Sequence, residues 1–214
     1  MNGDFIFLVL FLIQFVLWIV LRGYYQMKSP DRKKSLRELT KSAFEHEGRQ
    51  SIIFASLLGV VMIVALVLYI FYPTLFPWLV IPFPDWLRWL GVIIGFISIF
   101  FFWWAHSTLG QAFSKALTIQ EKHSVVSDGP YRRIRHPMYT ASIIYFFSWF
   151  LIAANLIFII LWLFFLGWIF TRMPKEEEML VAQFGDEYRE YMKRTGRLLP
   201  PFRKKSNSDD TNQV

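Results

Sequence analysis

Two polar segments flank the uncharged residues 138–171, and their residue types could together bind a charged organic ligand. The first, residues 128–139, contains a turn sequence, three arginines and the pair His136-Pro137. The second, residues 172–191, begins with Arg172, continues with three consecutive glutamates and ends in aromatic residues. Imidazole, guanidinium, carboxylate and aromatic groups supply hydrogen bonds, ion pairs and cation–π contacts. If both segments meet at one membrane face, they form a site for a polar cofactor and an apolar substrate.

The basic segment has a structural interpretation beside the functional one. His136 is either an interfacial imidazole that bonds a backbone carbonyl or a ligand-binding group held in place because Pro137 fixes the direction of the next helix. Arg132, Arg133 and Arg135 have the charge that is typical of the cytoplasmic side of membrane proteins. We therefore assign these three arginines to membrane topology by default.

Arg172 and Glu176 are four residues apart, so they share one face of any helix that continues beyond the uncharged stretch. A salt bridge that only caps a helix is the simpler interpretation of Glu177 and Glu178. Arg172 differs because it ends the uncharged stretch at membrane depth, where ionisable residues usually serve function or reach back to the interface. A guanidinium binds a carboxylate or phosphate through two parallel hydrogen bonds, which makes Arg172 a candidate for substrate binding.

Several classes of site are not indicated. The chain has no cysteine, so it has neither a thiolate nucleophile nor a cysteine-ligated metal. Its four histidines are scattered, and we expect no metal site. It contains no glycine-rich phosphate loop and no serine in a nucleophile elbow. The net charge of +7 comes without a nucleic-acid recognition motif, so we expect no nucleic-acid partner.

The elements that must position these residues are membrane-spanning helices. The chain has 214 residues, of which 55% are hydrophobic, and long apolar stretches of about 20 residues predict an all-α, polytopic membrane bundle. Three single spans are predicted at residues 5–21, 52–72 and 86–105. The last of them requires Arg88 to extend to the interface. Residues 138–171 would reach roughly 50 Å as one helix, so they predict two further spans with a turn near Asn155.

The basic residues predict the orientation of the five spans. Residues 22–50 hold eight Lys or Arg, residues 107–137 five and residues 172–205 nine, whereas residues 73–85 hold none. Cationic loops stay in the cytoplasm. We therefore expect the N-terminus outside, the C-terminus in the cytoplasm and the active site on the cytoplasmic face. The same charges attract anionic membrane lipid.

Two further helices are expected to lie on the membrane surface, at residues 35–50 and at residues 174–194, with Pro174 in the first turn of the second. These elements divide the chain into an N-terminal three-span region, residues 1–106, and a core, residues 107–205. The core comprises a cytosolic cofactor loop, a helical hairpin and a C-terminal amphipathic helix, at residues 107–137, 138–171 and 174–194. The polar tail, residues 206–214, is expected to be disordered.

The order and spacing of these residues resemble the isoprenylcysteine carboxyl methyltransferase family, part of a wider group of membrane methyltransferases that includes phospholipid N-methyltransferases. The first shared pattern is Gly-Pro-Tyr-x-x-x-Arg-His-Pro-x-Tyr at residues 129–139. After a hydrophobic hairpin follows Arg-x-x-x-Glu-Glu-x-x-Leu-x-x-x-Phe-Gly-x-x-Tyr-x-x-Tyr at residues 172–191. Thr140-Ala141 stand where the family usually has a smaller residue, often glycine. The first hundred residues are similar only in being membrane spans.

The resemblance implies a pocket for S-adenosylmethionine, formed by the loop and the C-terminal helix. The family's cofactor contacts would fall on Gln120, His123, Ser124, Val125, Val126, Tyr131, His136, Pro137, Met138 and Tyr139. Glu176 occupies the place of the cofactor-contacting glutamate, and Arg172 that of the arginine associated with the substrate carboxylate. The resemblance thus implies that these two residues are catalytic.

The implied reaction is carboxyl O-methylation of an isoprenylcysteine-like or other lipophilic acceptor that enters from the bilayer. Methyl transfer from a sulfonium is an in-line displacement, and a carboxylate acceptor is ionised at neutral pH and needs no general base. The protein then has to position donor and acceptor and to exclude water.

Three alternatives to this function remain open at this point. They are methylation of a phospholipid amine or small thiol on the same scaffold, an NADPH-dependent membrane reductase, and a non-enzymatic membrane protein.

Overall fold

The computed structural model describes residues 2–28, 48–72, 77–113 and 125–201, and these ranges are helical without a β-strand. The α-helices in chain order are α1 Asn2–Lys28, α2 Arg49–Phe71, α3 Asp85–Phe113, α4 Pro137–Ala153, α5 Leu156–Phe184 and α6 Asp186–Arg194. Short 3-10 helices lie at Pro77–Leu79 and Gly129–Arg132. In the described ranges, α1, α2, α3 and α5 are long and apolar enough to cross a membrane, and α4 is an apolar helix of 17 residues. This confirms the predicted helical membrane bundle.

Aromatic stacking and one buried amide hold α1 against α3 and α4. The Trp18 indole stacks on the Tyr145 ring with centroids 4.2 Å apart, and its centroid lies 4.1 Å from that of Phe102. Gln14 is fully buried, and its side-chain amide donates to the Val92 carbonyl at 2.8 Å. Between membrane helices, packing and such hydrogen bonds replace the hydrophobic driving force that operates in water.

The reversal predicted near Asn155 is confirmed. Ala154 adopts the left-handed conformation at φ 49°, and the Asn155 side chain caps α5 by accepting from the Ile157 amide at 3.0 Å. The two helices pack as a hairpin, in which the Trp162 indole donates to the Ile143 carbonyl at 2.8 Å. The two polar segments therefore lie at the same end of the bundle, which we call the site end.

Arg88 lies at the opposite end of the bundle, where it is paired with other residues of the protein. The residue is buried, and its guanidinium contacts the Asp4 carboxylate at 2.5 Å and donates to the Ile152 carbonyl at 3.0 Å. The same guanidinium lies 4.0 Å from the centroid of the Phe7 ring. An ion pair, a carbonyl and an aromatic face thus offset the cost of burying this guanidinium.

The bounds predicted for the C-terminal helix, residues 174–194, are wrong. Helix α5 continues through Pro174 to Phe184, and α6 begins only after Gly185 at φ 58°. Pro174 lacks the N–H that would bond the carbonyl one turn earlier. The buried residues Met173 and Glu177 on either side of it pack against the rest of the protein and keep the helix continuous.

The predicted surface helix at residues 35–50 is described only at its end. Arg49 and Gln50 belong to α2, where they begin a membrane span instead of ending a surface helix. The other residues of that prediction, apart from Gly48, lie outside the described ranges, as does the predicted tail at residues 206–214.

The contact between α3 and α4 requires a glycine, which gives a first prediction. A Cβ at Gly91 would lie 2.6 Å from the Leu151 Cβ and 3.0 Å from the Ile152 backbone nitrogen. We expect Gly91→Ala to destabilise the protein by about 1–3 kcal/mol, because the helices must move apart. The measurement is the thermal unfolding midpoint in detergent. Gly59→Ala is the matched control, since nothing lies within 4 Å of its Cβ, and an equal effect of both changes would contradict the prediction.

Candidate active site

The start of α4 and the second half of α5 meet at the site end of the bundle. The Tyr139 hydroxyl donates to Glu176 Oε2 at 2.6 Å, and His136 Nδ1 lies 4.0 Å from Glu176 Oε1. The His136 ring stacks on the Tyr139 ring with centroids 5.4 Å apart. Pro137 is the first residue of α4, as its restricted φ predicts. Residues from both polar segments therefore form one cluster.

The neighbouring Glu177 is the centre of a buried ion cluster, so its interpretation as a helix cap is wrong. Its Oε1 accepts from Arg135 Nε at 2.8 Å and lies 3.4 Å from His136 Nε2. Its Oε2 contacts Arg197 Nη2 at 2.7 Å and accepts from Arg197 Nε at 3.0 Å. Glu177 is 3% exposed, and a carboxylate at that burial requires such partners.

Arg135 therefore has a second role beyond topology. One of its terminal nitrogens donates to the backbone carbonyls of Met192 and Thr195, the former at 2.9 Å. These two carbonyls stand at the C-terminal end of α6, where the helix leaves carbonyls without partners. Arg135 thus joins α5 and α6 through one guanidinium, whereas Arg132 and Arg133 are exposed.

A short parallel pairing brings Arg197 to this cluster. The Gly196 amide donates to the Arg133 carbonyl at 3.0 Å, and the Arg135 and His136 amides donate to the Gly196 and Arg197 carbonyls at 2.8 and 3.0 Å. A Cβ at Gly196 would lie 1.9 Å from the Leu199 carbonyl oxygen, so only glycine fits this turn. The segment after α6 is therefore fixed beside His136 by its backbone.

Helix α6 closes the cluster with two buried tyrosines. Tyr188 and Tyr191 are buried, and the Tyr191 hydroxyl donates to the Tyr131 carbonyl at 2.7 Å. Burial raises the pKa of Tyr191 to about 12, so its hydroxyl keeps the donated proton at neutral pH. At the other end of the helix, Glu187 accepts a hydrogen bond at 2.7 Å from the amide of Val125. Helix α6 thereby tethers the end of the predicted cofactor loop, of which Val125 and Val126 are half-buried.

Tyr131 carries a buried hydroxyl without a hydrogen-bond partner among the residues that the structure describes. Burial raises its pKa well above the ordinary value, and the neighbouring Tyr191 and Glu176 act in the same direction. The phenol is therefore protonated at neutral pH and can donate a hydrogen bond. Buried polar groups rarely lack a partner, so this hydroxyl is a candidate ligand contact.

Arg172 lies one helical turn before Glu176 on α5 and is half-buried. Its guanidinium carbon is 5.1 Å from the centroid of the Trp168 ring, a cation–π distance that fixes the side chain along α5. Trp168 is itself held by a 3.2 Å hydrogen bond from its indole to the Ser51 hydroxyl on α2. The arginine therefore stands on a rigid part of the bundle.

The structure describes most of the site residues that the sequence predicted. Tyr131, His136, Pro137, Met138, Tyr139 and Glu176 gather at the site end, and Arg172 follows one turn away. Gln120, His123 and Ser124 lie outside the described residues. The sequence analysis missed the positions of Glu177, Arg135 and Arg197 in the ion cluster. The glutamate triplet was a usable signal for Glu177, but no pattern near Arg197 indicated its partner.

Comparison with known proteins supports the resemblance found in the sequence. The model of the isoprenylcysteine carboxyl methyltransferase family matches residues 89–182. The protein-S-isoprenylcysteine O-methyltransferase of Schizosaccharomyces pombe is 33% identical over 102 residues, which cover 42% of this chain. The aligned part spans 40% of that relative's length. Helix α4 and nearly all of α3 and α5, with Tyr139, Arg172 and Glu176, lie within the family match.

Proposed function

We propose that this integral membrane protein, whose residues 89–182 match the model of the isoprenylcysteine carboxyl methyltransferase family, is an S-adenosylmethionine-dependent carboxyl methyltransferase. Its acceptor is an isoprenylcysteine or a similar lipophilic carboxylate that reaches the site from the bilayer. The observation that carries the proposal is the Tyr139–Glu176 hydrogen bond of 2.6 Å, which joins the two family segments at one end of the bundle.

The residues at this end suit a donor with an ammonium group and a sulfonium. The Glu176 side chain is 34% exposed, so one of its oxygens can accept from the ammonium while the other accepts from Tyr139. The faces of Tyr139 and His136 stand beside that carboxylate and tolerate a cation. Tyr131 supplies a buried hydroxyl without a described partner. We assign donor binding to these residues and to Val125, Val126, Pro137 and Met138, and also to Gln120, His123 and Ser124, which lie outside the described ranges.

The bound donor supplies an activated methyl group, and the chain's own residues have to orient the reactants. Arg172 binds the acceptor carboxylate and directs one oxygen towards the methyl group. Glu176 holds the donor one helical turn away, about 6 Å along the helix axis. The apolar helices around the pair keep water away, which strengthens both ion pairs. No proton has to be removed, because the acceptor is a carboxylate.

The direct test is methyl transfer by protein purified in detergent. With labelled S-adenosylmethionine and N-acetyl-S-farnesyl-L-cysteine, we expect a labelled methyl ester that base releases as methanol. Two control acceptors are tested beside it. One is the farnesyl thioether that lacks the carboxyl group, and the other is a phosphatidylethanolamine, which offers an amine instead. Transfer to the amine instead would identify a phospholipid N-methyltransferase. Binding of NADPH in place of S-adenosylmethionine would identify a reductase, and either result would overturn the proposal.

The position of Glu176 predicts a selective effect on donor affinity. We expect Glu176→Gln to weaken S-adenosylmethionine binding about tenfold or more, because a hydrogen bond between charged groups is worth about 1.5–3 kcal/mol. The measurement is the dissociation constant from calorimetry in detergent. Glu178→Gln is the control, since Glu178 is exposed on another face of α5. Unchanged donor affinity in Glu176→Gln would remove this glutamate from the donor site.

We further propose that the N-terminus is outside and that the site faces the cytoplasm. The Lys and Arg residues near the site end of the helices support this orientation. Single cysteines at exposed positions 28 and 80 provide the test, because the natural chain contains none. A membrane-impermeant thiol reagent added to intact cells should label position 80 and spare position 28.

A further inference from the structure

The first helix brings an arginine to the same end of the bundle from outside the family match. Arg22 lies on α1, and its electrostatic interactions are with Arg172, Tyr139 and His106. It is exposed in the bare polypeptide and has no hydrogen bond or salt bridge to any residue that the structure describes. A guanidinium without a described partner, on the same side of the electrostatic balance as a second arginine, favours the binding of an anion, because like charges repel.

Ring stacking on both sides of Arg22 fixes the face of α1 on which it lies. Trp18 stacks on Tyr145 of α4, and Tyr25 stacks on His106 of α3 with centroids 4.6 Å apart. Trp18 and Tyr25 are seven residues apart, which is close to two helical turns, so they share one face. Arg22, four residues after Trp18 and three before Tyr25, therefore lies on the face of α1 that packs on α3 and α4.

The direction of the helices places Arg22 and Tyr139 at neighbouring depths. Helices α1 and α4 are antiparallel, and both residues lie towards the site end from the contact of Trp18 with Tyr145. At 1.5 Å per residue, Arg22 is about 6 Å and Tyr139 about 9 Å beyond that contact. Tyr139 in turn binds Glu176, and Arg172 is one turn of α5 from Glu176. Arg22 and Arg172 thus lie near the depth of Tyr139 on two different helices.

We propose that Arg22 is a specificity-determining residue that binds the acceptor carboxylate together with Arg172. The inference rests on the proposed carboxyl methylation and adds to it a second guanidinium from the part of the chain outside the family match. Two guanidiniums from separate helices can hold both oxygens of one carboxylate and reject a neutral group of the same shape. An acceptor lacking the negative charge would leave Arg22 without an anion to bind, which is costly.

A purely topological role for Arg22 is distinguishable because the same helix offers a matched residue. Lys28 is exposed near the end of α1, and its ammonium lies 4.3 Å from the centroid of the Tyr24 ring. Lys28→Met removes one positive charge from the same helix and the same end of the bundle. A charge needed only for orientation or lipid attraction would respond alike to Lys28→Met and Arg22→Met.

The experiment measures binding of N-acetyl-S-farnesyl-L-cysteine and its carboxamide to purified protein, with S-adenosylhomocysteine present so that no turnover occurs. We expect the wild type to prefer the acid. Arg22→Met should reduce that preference about tenfold, by loss of a charged hydrogen bond, while S-adenosylhomocysteine affinity stays unchanged and shows that the variant is folded. Arg22→Lys should keep part of the preference, and Lys28→Met should keep all of it.

The outcomes separate this inference from the proposed function. A wild type that methylates the acid, combined with an unchanged acid preference in Arg22→Met, overturns the role of Arg22 and leaves the proposed function intact. A wild type that binds acid and carboxamide equally overturns the carboxylate site itself. A third outcome is a wild type that shows no preference for the acid over the carboxamide, but from which lysophosphatidate displaces the acid. If lysophosphatidate fails to do so in Arg22→Met, Arg22 binds a phosphate, and the proposed carboxylate site is overturned.

Discussion

Glu177→Ala is expected to lower the free energy of unfolding by about 3–5 kcal/mol. The change removes the carboxylate that is shared by Arg135, whose side chain is buried, and Arg197, whose side chain is half-buried. At about 2–4 °C per kcal/mol for a chain of this size, the thermal midpoint should fall by roughly 10 °C. The measurement is thermal unfolding of the purified protein, followed by tryptophan fluorescence. The effect is large because one carboxylate joins three parts of the chain: the segment before α4, α5 itself and the segment after α6.

Two variants decide whether the loss comes from the unpaired charges. Glu178→Ala is the matched control, since the neighbouring glutamate is exposed and should change the midpoint little. Arg135→Met in the Glu177→Ala background removes one of the stranded cations and should restore part of the midpoint. Equal midpoints for Glu177→Ala and Glu178→Ala would show that the cluster does not stabilise the fold.

Arg172→Met is expected to reduce methyl transfer to N-acetyl-S-farnesyl-L-cysteine by about 100-fold or more, because misplacement of a reacting group by about 1 Å already has an effect of this size. Donor affinity should remain at the wild-type value, since Glu176 and Tyr139 are unchanged. The measurements are the initial rate with saturating donor and the dissociation constant of S-adenosylhomocysteine.

The control for Arg172 is Arg132→Met, which removes an exposed arginine from the 3-10 turn at the same end of the bundle. We expect this variant to retain the wild-type rate. Normal turnover in Arg172→Met would exclude the residue from acceptor binding. Loss of donor affinity together with turnover would instead show that Arg172 supports the donor site.

Only the tertiary structure separates the roles of Glu176 and Glu177. The two residues are adjacent in the sequence, but successive positions of a helix point about 100° apart. The rotation of α5 about its own axis therefore decides which carboxylate meets Tyr139 and which meets the arginines. That rotation is set by the summed packing of residues such as Met173 and Ile169 against other helices. No short-range pattern reports it, which is why the sequence interpretation of Glu177 was wrong.

The amino-acid sequence by itself determined the helical membrane bundle, the reversal at Asn155 and the two segments that meet beside Glu176. These features follow from local physics: apolar length against bilayer thickness, a capped turn, and a proline that begins a helix. The ion cluster around Glu177, the internal pairing of Arg88 and the position of Arg22 on the face of α1 that packs on α3 and α4 were decided by tertiary structure. Each of them joins residues far apart in the chain, and only the packing of whole helices determines which side chains become neighbours.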